Sequence, residues 1–298
     1  MKNKQNIQKF FYMKGKLKVD SMNDTQNQVL NKKLEMLEKI LSAKERVLVA
    51  FSGGTDSSFL LAYAKKVLGK NVEAIIINSQ LFPKNELSRA VDFCRKHSIN
   101  YTIVEKDIMK NKKIVSNPPT RCYHCKKAIF STIRKFAKKN GFTHILEGGN
   151  ADDLNAYRPG KRALLELGIE SPLALANLTK EEIRTISKTL GLESWNLPSA
   201  ACLASRIPYG EKITSDKLIM INKSEDYLRH LGFSQVRVRH HGNLAKIEIL
   251  EEEWNLLDKS LRISINEELK KIGFVHVAVD LAGYRTGAMD ELLHKPTK

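Results

Sequence analysis

A short apolar segment that leads directly into a glycine-containing polar loop constrains the fold of this chain more than any other feature. Arg46–Phe51 predicts a buried strand, the loop Ser52–Ser58 (SGGTDSS) follows it, and the next residues, FLLAYAKKVLG, have helical spacing. Gly53 and Gly54 let the backbone turn tightly and approach an anion, and the free N–H groups of the new helix point at the same place. The segment predicts a phosphate-binding loop; the alternative is a Gly-Gly turn with a Ser or Asp cap.

The pattern that follows predicts the architecture around this loop. Apolar strands are expected at 46–51, 72–78, 101–105 and 144–148, and helices at 27–42, 57–68, 84–97, 125–139 and 179–190. The last of these helices opens with Thr179 and Glu182 in the spacing of a capping box. Such alternation indicates an α/β fold with a doubly wound parallel sheet. After Pro198 the expected elements are a helix at 214–231, a hairpin of strands at 235–240 and 245–250, a helix at 251–272 and a strand at 274–281. We expect a basic extension at 1–26, a nucleotide-binding domain at 27–198 and a smaller α+β domain at 199–298.

The composition excludes several classes of protein. A chain of 298 residues with 42% hydrophobic and 28% charged residues is neither a disordered tail nor a coiled coil, and no run reaches the ~18 apolar residues of a membrane helix, so a cytoplasmic protein is expected. The formal charge of +17 is concentrated in residues 1–20, net +5, and residues 106–139, net +10. Such concentrated positive charge would attract a polyanion or a phosphorylated small molecule. The alternative interpretation is a solvated face together with a basic tail that has no binding role.

Polar residues at two predicted strand ends support the phosphate loop. Asn78 and Ser79 end the second strand, and Glu147–Asn150 (EGGN), followed by Asp152 and Asp153, end a later one. Ligands of doubly wound sheets bind at the carboxyl ends of the strands. These residues offer backbone groups for adenine or ribose and carboxylates for a Mg²⁺ between phosphates, although each alone is equally compatible with an Asx turn or a helix cap.

Four cysteines are too few for a disulfide scaffold in a chain of this length. Cys94 lies on an amphipathic helix and is expected to be buried and inert. Cys122 and Cys125 form a CxxC pair just before a predicted helix, where basic neighbours favour the thiolate, and Cys202 lies far downstream. These three suit a [4Fe–4S] cluster with one open iron; zinc with a further donor such as His124, a redox disulfide and inert thiols are the alternatives.

Basic residues near the C-terminal hairpin suggest a site for a phosphate group. Arg237 and Arg239 share one face of a predicted strand, and His241 follows on that face. A pair of guanidinium groups matches the oxygens of a phosphate monoester, whereas the alternative is an exposed strand face with ordinary solubilising charges. Arg206, close to Cys202, is a second candidate for binding a phosphate or carboxylates.

The phosphate loop carries the SGGxDS signature of the PP-loop pyrophosphatase superfamily, and a longer resemblance extends from about Asn27 to the C-terminus. The chain resembles the LarE-type ATP-dependent sulfur transferases, which mature the nickel-pincer nucleotide cofactor of lactate racemase. The segments that carry this resemblance are FSGGTDSS, NPPTRCYHCK, EGGNADD, YRPG, ELGIESPL, LTKEEIR, PSAACLASRIPYG, RVRHHGNLAKIEI and DLAGYRTGAMDE.

The resemblance implies an adenylating PP-loop domain, of the adenine nucleotide alpha hydrolase-like fold, and a C-terminal domain that helps to bind a pyridinium dicarboxylate mononucleotide. A carboxylate is adenylated, sulfur is delivered from sulfide or another donor, AMP leaves, and a thiocarboxylate results. In some members the cysteine matching Cys202 gives up its sulfur and becomes dehydroalanine. Because Cys122 and Cys125 are also present, this chain resembles the other branch, in which three cysteines hold a [4Fe–4S] cluster.

The residue roles that follow from the motifs and the resemblance are these. Nucleotide binding is expected at Ser52, Gly53, Gly54, Asp56, Ser57, Ser58, Asn78, Ser79, Glu147 and Gly148. Catalytic roles are expected for Asp56, Cys202 and Arg206, metal binding for Cys122, Cys125 and Cys202, and phosphate binding for Arg206, Arg237 and Arg239. The expected cofactors are ATP, Mg²⁺ and the cluster, and the family suggests a homo-oligomer built from trimers.

Other functions fit part of the pattern. The basic extension lies outside the family pattern, and the charge of the basic segment at 106–139 exceeds what a mononucleotide requires. Both suit a PP-loop tRNA thiolase, although no zinc ribbon, THUMP-like module or aromatic-interleaved basic surface is present in the sequence. A nucleotide-binding or metal-carrier protein without turnover would not need the intact loop and the three cysteines together. An ammonia-dependent PP-loop ligase would not need the cysteines.

Overall fold

The computed structural model describes residues 17–154, 159–198, 201–285 and 287–288, so most of the predicted basic extension lies outside the described residues. The chain forms two compact units. The first contains residues up to Asn78, Lys84–Lys106 and the described residues from Cys122 to 198. The second contains Ser79–Pro83, Asp107–Arg121 and the described residues from 201 onward. Among the described helices, none is both long and apolar enough to cross a membrane.

A parallel sheet forms the centre of the first unit. Its strands are β1 (Val47–Ala50), β2 (Val72–Asn78), β3 (Asn100–Glu105) and β4 (His144–Leu146), in the order β3-β2-β1-β4. The chain moves outward from β1 to β3 on one side and then crosses to β4 on the other side. The order therefore reverses at β1, and the phosphate loop leaves the carboxyl end of this strand, where such sheets bind ligands. The predicted doubly wound parallel sheet is confirmed.

The helices follow the apolar spacing of the sequence. In chain order they are α1 (Asp24–Ser42), α2 (Thr55–Leu68), α3 (Lys84–Lys96), α4 (Lys112–Val115), α5 (Arg121–Lys139), α6 (Pro159–Glu166), α7 (Pro172–Leu175), α8 (Lys180–Thr189), α9 (Ser215–His230) and α10 (Lys259–Ile272). Side chains of α1 and α2 pack with β1 in the apolar core of the first unit. The capping box predicted for α8 is present, because Thr179 and Glu182 each accept a hydrogen bond from the backbone N–H of the other.

One helix begins earlier than the sequence pattern predicts. α5 starts at Arg121, whose backbone N–H donates to Pro118 O over 2.8 Å. Cys122 and Cys125 consequently lie inside α5, near its start, and not before it. The turn at Pro118 starts the helix, and the apolar spacing that predicted it becomes visible only after this turn.

The second unit contains a small mixed sheet. β5 (Arg237–His241) and β6 (Leu244–Glu248) form the predicted antiparallel hairpin, and β7 (His276–Val279) pairs with β6 in parallel. The helix predicted at 251–272 is divided into a 3₁₀ turn, Glu251–Leu256, and α10. The reason is Asp258, whose side chain accepts from Leu261 N over 2.7 Å and caps α10.

Candidate active site

The phosphate loop places an uncapped helix end at the switch point of the parallel sheet. Gly53 has a φ of +74°, and a Cβ at this position would lie 3.3 Å from Ala90 Cβ, so the turn favours glycine. Gly54 is the N-cap residue of α2 and has no side chain to accept from the first N–H groups of the helix. These N–H groups and the helix dipole together attract an anion.

The serines of the loop have different environments. Ser52 Oγ lies 3.1 Å from Ser57 Oγ, and Ser57 Oγ donates to Gly54 O, so these two hydroxyl groups stabilise the turn. Ser58 is fully buried, and its Oγ has no hydrogen-bond partner among the described residues. Because buried hydroxyl groups are normally hydrogen-bonded, Ser58 is a candidate for contact with a bound ligand or water.

The loop that follows β4 lies against the first turn of α2. A Cβ on Gly148 would lie 2.8 Å from Ser57 N and 2.9 Å from Ser57 Cα, distances at which backbone atoms leave no room for a side chain. The preceding residue, Glu147, accepts hydrogen bonds from Gly149 N and from Ser171 Oγ. Gly148 therefore brings the β4 loop onto the phosphate loop, and Glu147 holds the shape of the β4 loop.

Asp56 is the carboxylate of this site. Its Oδ2 accepts a hydrogen bond from Asn150 Nδ2 over 3.0 Å, whereas its Oδ1 is buried and has no partner among the described residues. Burial is the largest influence and raises the pKa of Asp56, while Asn150 and the charge of Lys180 partly oppose this rise. An unpartnered carboxylate oxygen at a helix N-terminus suits a magnesium ion bound between phosphate groups.

Two cations that no sequence signal singled out influence Asp56. Lys180 and Arg184, on α8, both lower the pKa of Asp56 by their charge. The start of α8 is tied to the β4 loop, because Asp152 Oδ2 accepts from Lys180 N over 2.9 Å. The capping box indicated where α8 begins but not that this end faces the carboxylate. Asp152, expected to bind Mg²⁺, thus has one oxygen engaged by the backbone of α8.

The remaining predicted nucleotide-binding residues lie at the end of β2. Asn78 Nδ2 donates to Glu105 Oε1 over 2.8 Å, which links the last residues of β2 and β3. Ser79 begins the first segment of the second unit; it is buried, and its Oγ has no partner among the described residues.

The cysteines fall into two groups. Cys94 is fully buried, as predicted, and burial raises the pKa of its thiol to about 12. Cys122 and Cys125 are half-buried near the start of α5 in the first unit, about one turn apart, and Cys202 is half-buried in the second unit. Within the described ranges, no group of three or more His, Cys, Asp and Glu side chains is gathered to hold a metal ion.

The arginines of the second unit are buried. Arg237 and Arg239 are 6% and 8% exposed, which contradicts the interpretation of β5 as an exposed, solubilising strand face. Arg239 binds both oxygens of Glu248, at 2.9 and 2.7 Å, and Arg206 binds both oxygens of Glu225, at 2.7 and 2.9 Å. Two of the three arginines expected to bind a substrate phosphate therefore hold a buried carboxylate.

Arg237 has a different environment. Its Nη1 donates to Val236 O, and its guanidinium lies 5.2 Å from the centre of the Tyr284 ring. Burial, followed by the positive charge of Arg206, lowers the pKa of Arg237 to about 10. A bound anion would relieve both effects, because it would compensate the lost hydration and the repulsion.

Comparison with known proteins identifies the family. A family model described as a PP-loop domain matches residues 23–156, which include the phosphate loop and the β4 loop. The chain is 38% identical over 253 residues to the pyridinium-3,5-bisthiocarboxylic acid mononucleotide synthase of Lactiplantibacillus plantarum, covering 84% of this chain and 91% of that protein. This chain belongs to the same family, the LarE-type sulfur transferases.

Two further similarities support this assignment. An uncharacterized protein of Synechocystis is 38% identical over 268 residues, which is 90% of this chain and 100% of that protein. The tRNA-5-methyluridine(54) 2-sulfurtransferase of Pyrococcus horikoshii is 29% identical over 237 residues, covering 72% of each chain. As a member of the LarE-type family with an intact PP-loop domain, the protein is an ATP-dependent enzyme.

Proposed function

We propose that this protein converts a carboxylate of a pyridinium dicarboxylate mononucleotide into a thiocarboxylate in two steps, adenylation by ATP and replacement of AMP by sulfur. The observation that carries the proposal is the arrangement at Asp56, where the uncapped start of α2, a half-satisfied carboxylate and the charges of Lys180 and Arg184 come together. The similarity to the mononucleotide synthase supports the choice of substrate.

In the first step a substrate carboxylate oxygen attacks the α-phosphorus of ATP, and pyrophosphate leaves. The N–H groups at the start of α2 bind phosphate oxygens, and Lys180 and Arg184 stabilise the charge that develops on the leaving pyrophosphate. Asp56 fits a Mg²⁺ that neutralises the phosphates, because Mg²⁺ sites commonly combine one or two carboxylates with phosphate oxygens. Glycines and backbone groups of the β4 loop contact the nucleotide.

In the second step an anionic sulfur attacks the acyl carbon, and AMP leaves with the C–O electron pair. Carboxylates are poor electrophiles, which is why the adenylate is needed as a leaving group. We propose Cys122, Cys125 and Cys202 as thiolate ligands of a [4Fe–4S] cluster, which with three ligands leaves one iron open for sulfide. The alternative is transfer of the Cys202 sulfur itself, after which that residue is dehydroalanine.

The phosphate of the mononucleotide is proposed to bind at Arg237, supported by the lowered pKa of this buried guanidinium. Arg239 and Arg206 lie in the same cluster, and the phosphate would have to compete with Glu248 and Glu225 for their donors. A guanidinium remains charged at neutral pH and matches phosphate oxygens, so a single well-placed arginine can bind this group.

The proposal is tested with anaerobically purified protein, ATP, Mg²⁺, the mononucleotide and sulfide, by measuring AMP, pyrophosphate and thiocarboxylate. All three products are expected, in equal amounts, and Asp56→Asn should abolish them.

Iron and acid-labile sulfide are measured on the same protein and on Cys122→Ala, where loss of both supports the cluster. A mass loss of one H₂S at Cys202 after turnover indicates sacrificial transfer instead, and absence of AMP contradicts the proposed function. Light scattering tests the expected homo-oligomer.

A basic helix face favours a second candidate, a tRNA thiolase. Arg134, Lys135, Lys138 and Lys139 are exposed on α5, and such a face attracts a polyanion. The similarity to the tRNA 2-sulfurtransferase points in the same direction. A gel-shift assay with total tRNA at two salt concentrations distinguishes the two candidate functions. A salt-sensitive complex is expected from a tRNA thiolase, and no complex is expected from a mononucleotide synthase.

A further inference from the structure

Hydrogen bonds from arginine side chains hold the turn that carries Cys202. Cys202 precedes a 3₁₀ turn, Leu203–Arg206, and residues 201–206 are called the cysteine turn. Arg206 folds back over this turn, and its Nη1 donates to Ala201 O over 2.6 Å and to Cys202 O over 3.0 Å. One guanidinium therefore binds the peptide groups on both sides of the Cys202 α-carbon. Cys202 O also accepts from Ser205 Oγ over 2.8 Å and from Ser205 N over 2.9 Å, within the turn itself.

Two further arginines contact the same turn from other elements. Arg239, on β5, donates from Nη1 to Ser205 O over 2.7 Å. Arg121 is 3% exposed and donates from Nη1 to Ala204 O over 3.0 Å. Carbonyl groups along the cysteine turn thus accept hydrogen bonds from guanidinium groups, and such charge-assisted bonds are stronger than those between neutral groups.

The position of Arg206 is fixed in turn by Glu225 on α9. This carboxylate is fully buried and receives both Arg206 donors, Nε at 2.7 Å and Nη2 at 2.9 Å. It also accepts from Val238 N, on β5, over 3.1 Å and from Arg229 Nη2 over 2.7 Å. Burial raises the pKa of Glu225, but the charge and hydrogen bonds of Arg206, with the charges of Arg237 and Arg229, lower it further, so the pKa lies below its usual value.

We propose that Glu225 is a positioning residue for the Cys202 thiol. It orients the Arg206 guanidinium, which fixes the carbonyls of Ala201 and Cys202 and thereby the direction in which the thiol leaves the turn. This inference rests on the proposed use of Cys202 in sulfur transfer. It also gives Arg206 a role other than direct contact with substrate.

Stability alone is a poor explanation of this arrangement. Buried ion pairs contribute little net stability, and apolar residues of similar volume often replace them without loss. The second unit already has an apolar core that includes Leu228, Val238 and Leu269. What apolar residues cannot supply is a planar set of donors that binds two carbonyl oxygens and a carboxylate simultaneously.

The test compares the rate at which iodoacetamide alkylates Cys202 in the wild type and in variants, each freed of iron beforehand, measured by mass spectrometry of the Cys202 peptide. Glu225→Gln retains the shape of the side chain but removes its charge. Arg206→Lys retains a cation beside Glu225 but loses the fork that reaches the two carbonyls. Arg229→Lys is the matched control, because Arg229 binds the same carboxylate without a described hydrogen bond to the cysteine turn. Thermal unfolding identifies the variants that fold.

We expect alkylation of Cys202 to accelerate about tenfold in Glu225→Gln and in Arg206→Lys, because the turn opens more often. Arg229→Lys should retain the wild-type rate. The rate of thiocarboxylate formation should fall about 10²-fold in the first two variants with the KM for ATP unchanged, since small displacements of a reacting group have effects of this size.

Wild-type alkylation and transfer rates in folded Glu225→Gln would overturn the proposal. If Glu225→Gln does not fold, the proposal is tested on Arg206→Lys, by its rate of Cys202 alkylation and its rate of thiocarboxylate formation. If the wild type forms no thiocarboxylate, the proposed function fails, but the alkylation rates still show whether Glu225 holds Cys202 in place.

Discussion

Asn150 Nδ2 donates to Asp56 Oδ2 over 3.0 Å and joins the loop after β4 to the first turn of α2 across 94 positions of sequence. The bond orients the carboxylate so that Oδ1 remains without a partner among the described residues. Asn150 itself is buried, and its Oδ1 accepts from Asp152 N over 3.0 Å. The side chain therefore has little freedom to turn away from Asp56.

Replacing Asn150 by Ala should move the acidic limb of the pH–rate profile to higher pH. The Asn150 hydrogen bond lowers the pKa of Asp56, so its loss raises that pKa and the carboxylate forms only at higher pH. The measurement is AMP formation against pH at saturating ATP. Asn140→Ala, at the exposed end of α5, is the control and should retain the wild-type profile. An unshifted profile in Asn150→Ala would show that Asp56 does not control this limb.

Replacing Lys180 by Gln should raise the KM for ATP and lower kcat for AMP formation. The cation lies at the start of α8, near Asp56, where it stabilises phosphate charge. We expect an effect of about 10²-fold on kcat/KM, the size found when one electrostatic donor is removed from a reaction centre. Lys188→Gln, an exposed lysine in the last turn of the same helix, is the control and should change neither constant. Equal effects of the two substitutions would show that the net charge of the protein matters for ATP, and not the position of Lys180 beside Asp56.

Gly148→Ala should separate the geometry of the site from the stability of the fold. The added methyl group would lie 2.8 Å from Ser57 N, so one of the two backbones must move, at a typical cost of about 1–3 kcal/mol. ATP binding should be lost while the protein still folds, as measured by calorimetric titration and thermal unfolding. Gly168→Ala is the control: its φ of +65° makes alanine unfavourable, but nothing lies within 4 Å of the added atom. That variant should be less stable yet bind ATP normally.

The sequence was sufficient for the elements whose signals are local. Continuous apolar runs predicted the parallel strands, and the paired glycines after β1 predicted a tight turn, in which the structure has Gly53 at a φ of +74°. The capping box at Thr179 predicted the start of α8 for the same reason, since all the groups involved lie within one helical turn.

Relationships between distant elements could not be predicted in this way. Period-two spacing places Arg237 and Arg239 on one face of β5, but it does not reveal that Glu225 and Glu248 are buried beside them. The strand face was therefore expected to be either solvent-exposed or free to bind phosphate. Nor does any local signal place Lys180 beside a carboxylate more than a hundred residues earlier, because that depends on how α8 packs on the sheet.

Replacing Arg237 by Gln should raise the KM for the mononucleotide and leave the KM for ATP unchanged. Arg237 is buried beside Arg206 in the second unit, and its pKa of about 10 reflects lost hydration and a neighbouring positive charge that a phosphate would offset. Loss of a charged hydrogen-bond partner typically costs about 1.5–3 kcal/mol, which corresponds to roughly ten- to a hundredfold in KM.

Two controls make this last measurement decisive. Arg262→Gln removes an exposed arginine of α10 and should leave both constants unchanged. Arg239→Gln breaks the pair with Glu248 and leaves this buried carboxylate with only the longer ion pair to Lys246, at 3.4 Å, so it should lower the thermal stability as well as the affinity. If Arg237→Gln raises the KM for ATP instead, the phosphate bound there belongs to the nucleotide, and the binding site of the mononucleotide must be sought elsewhere.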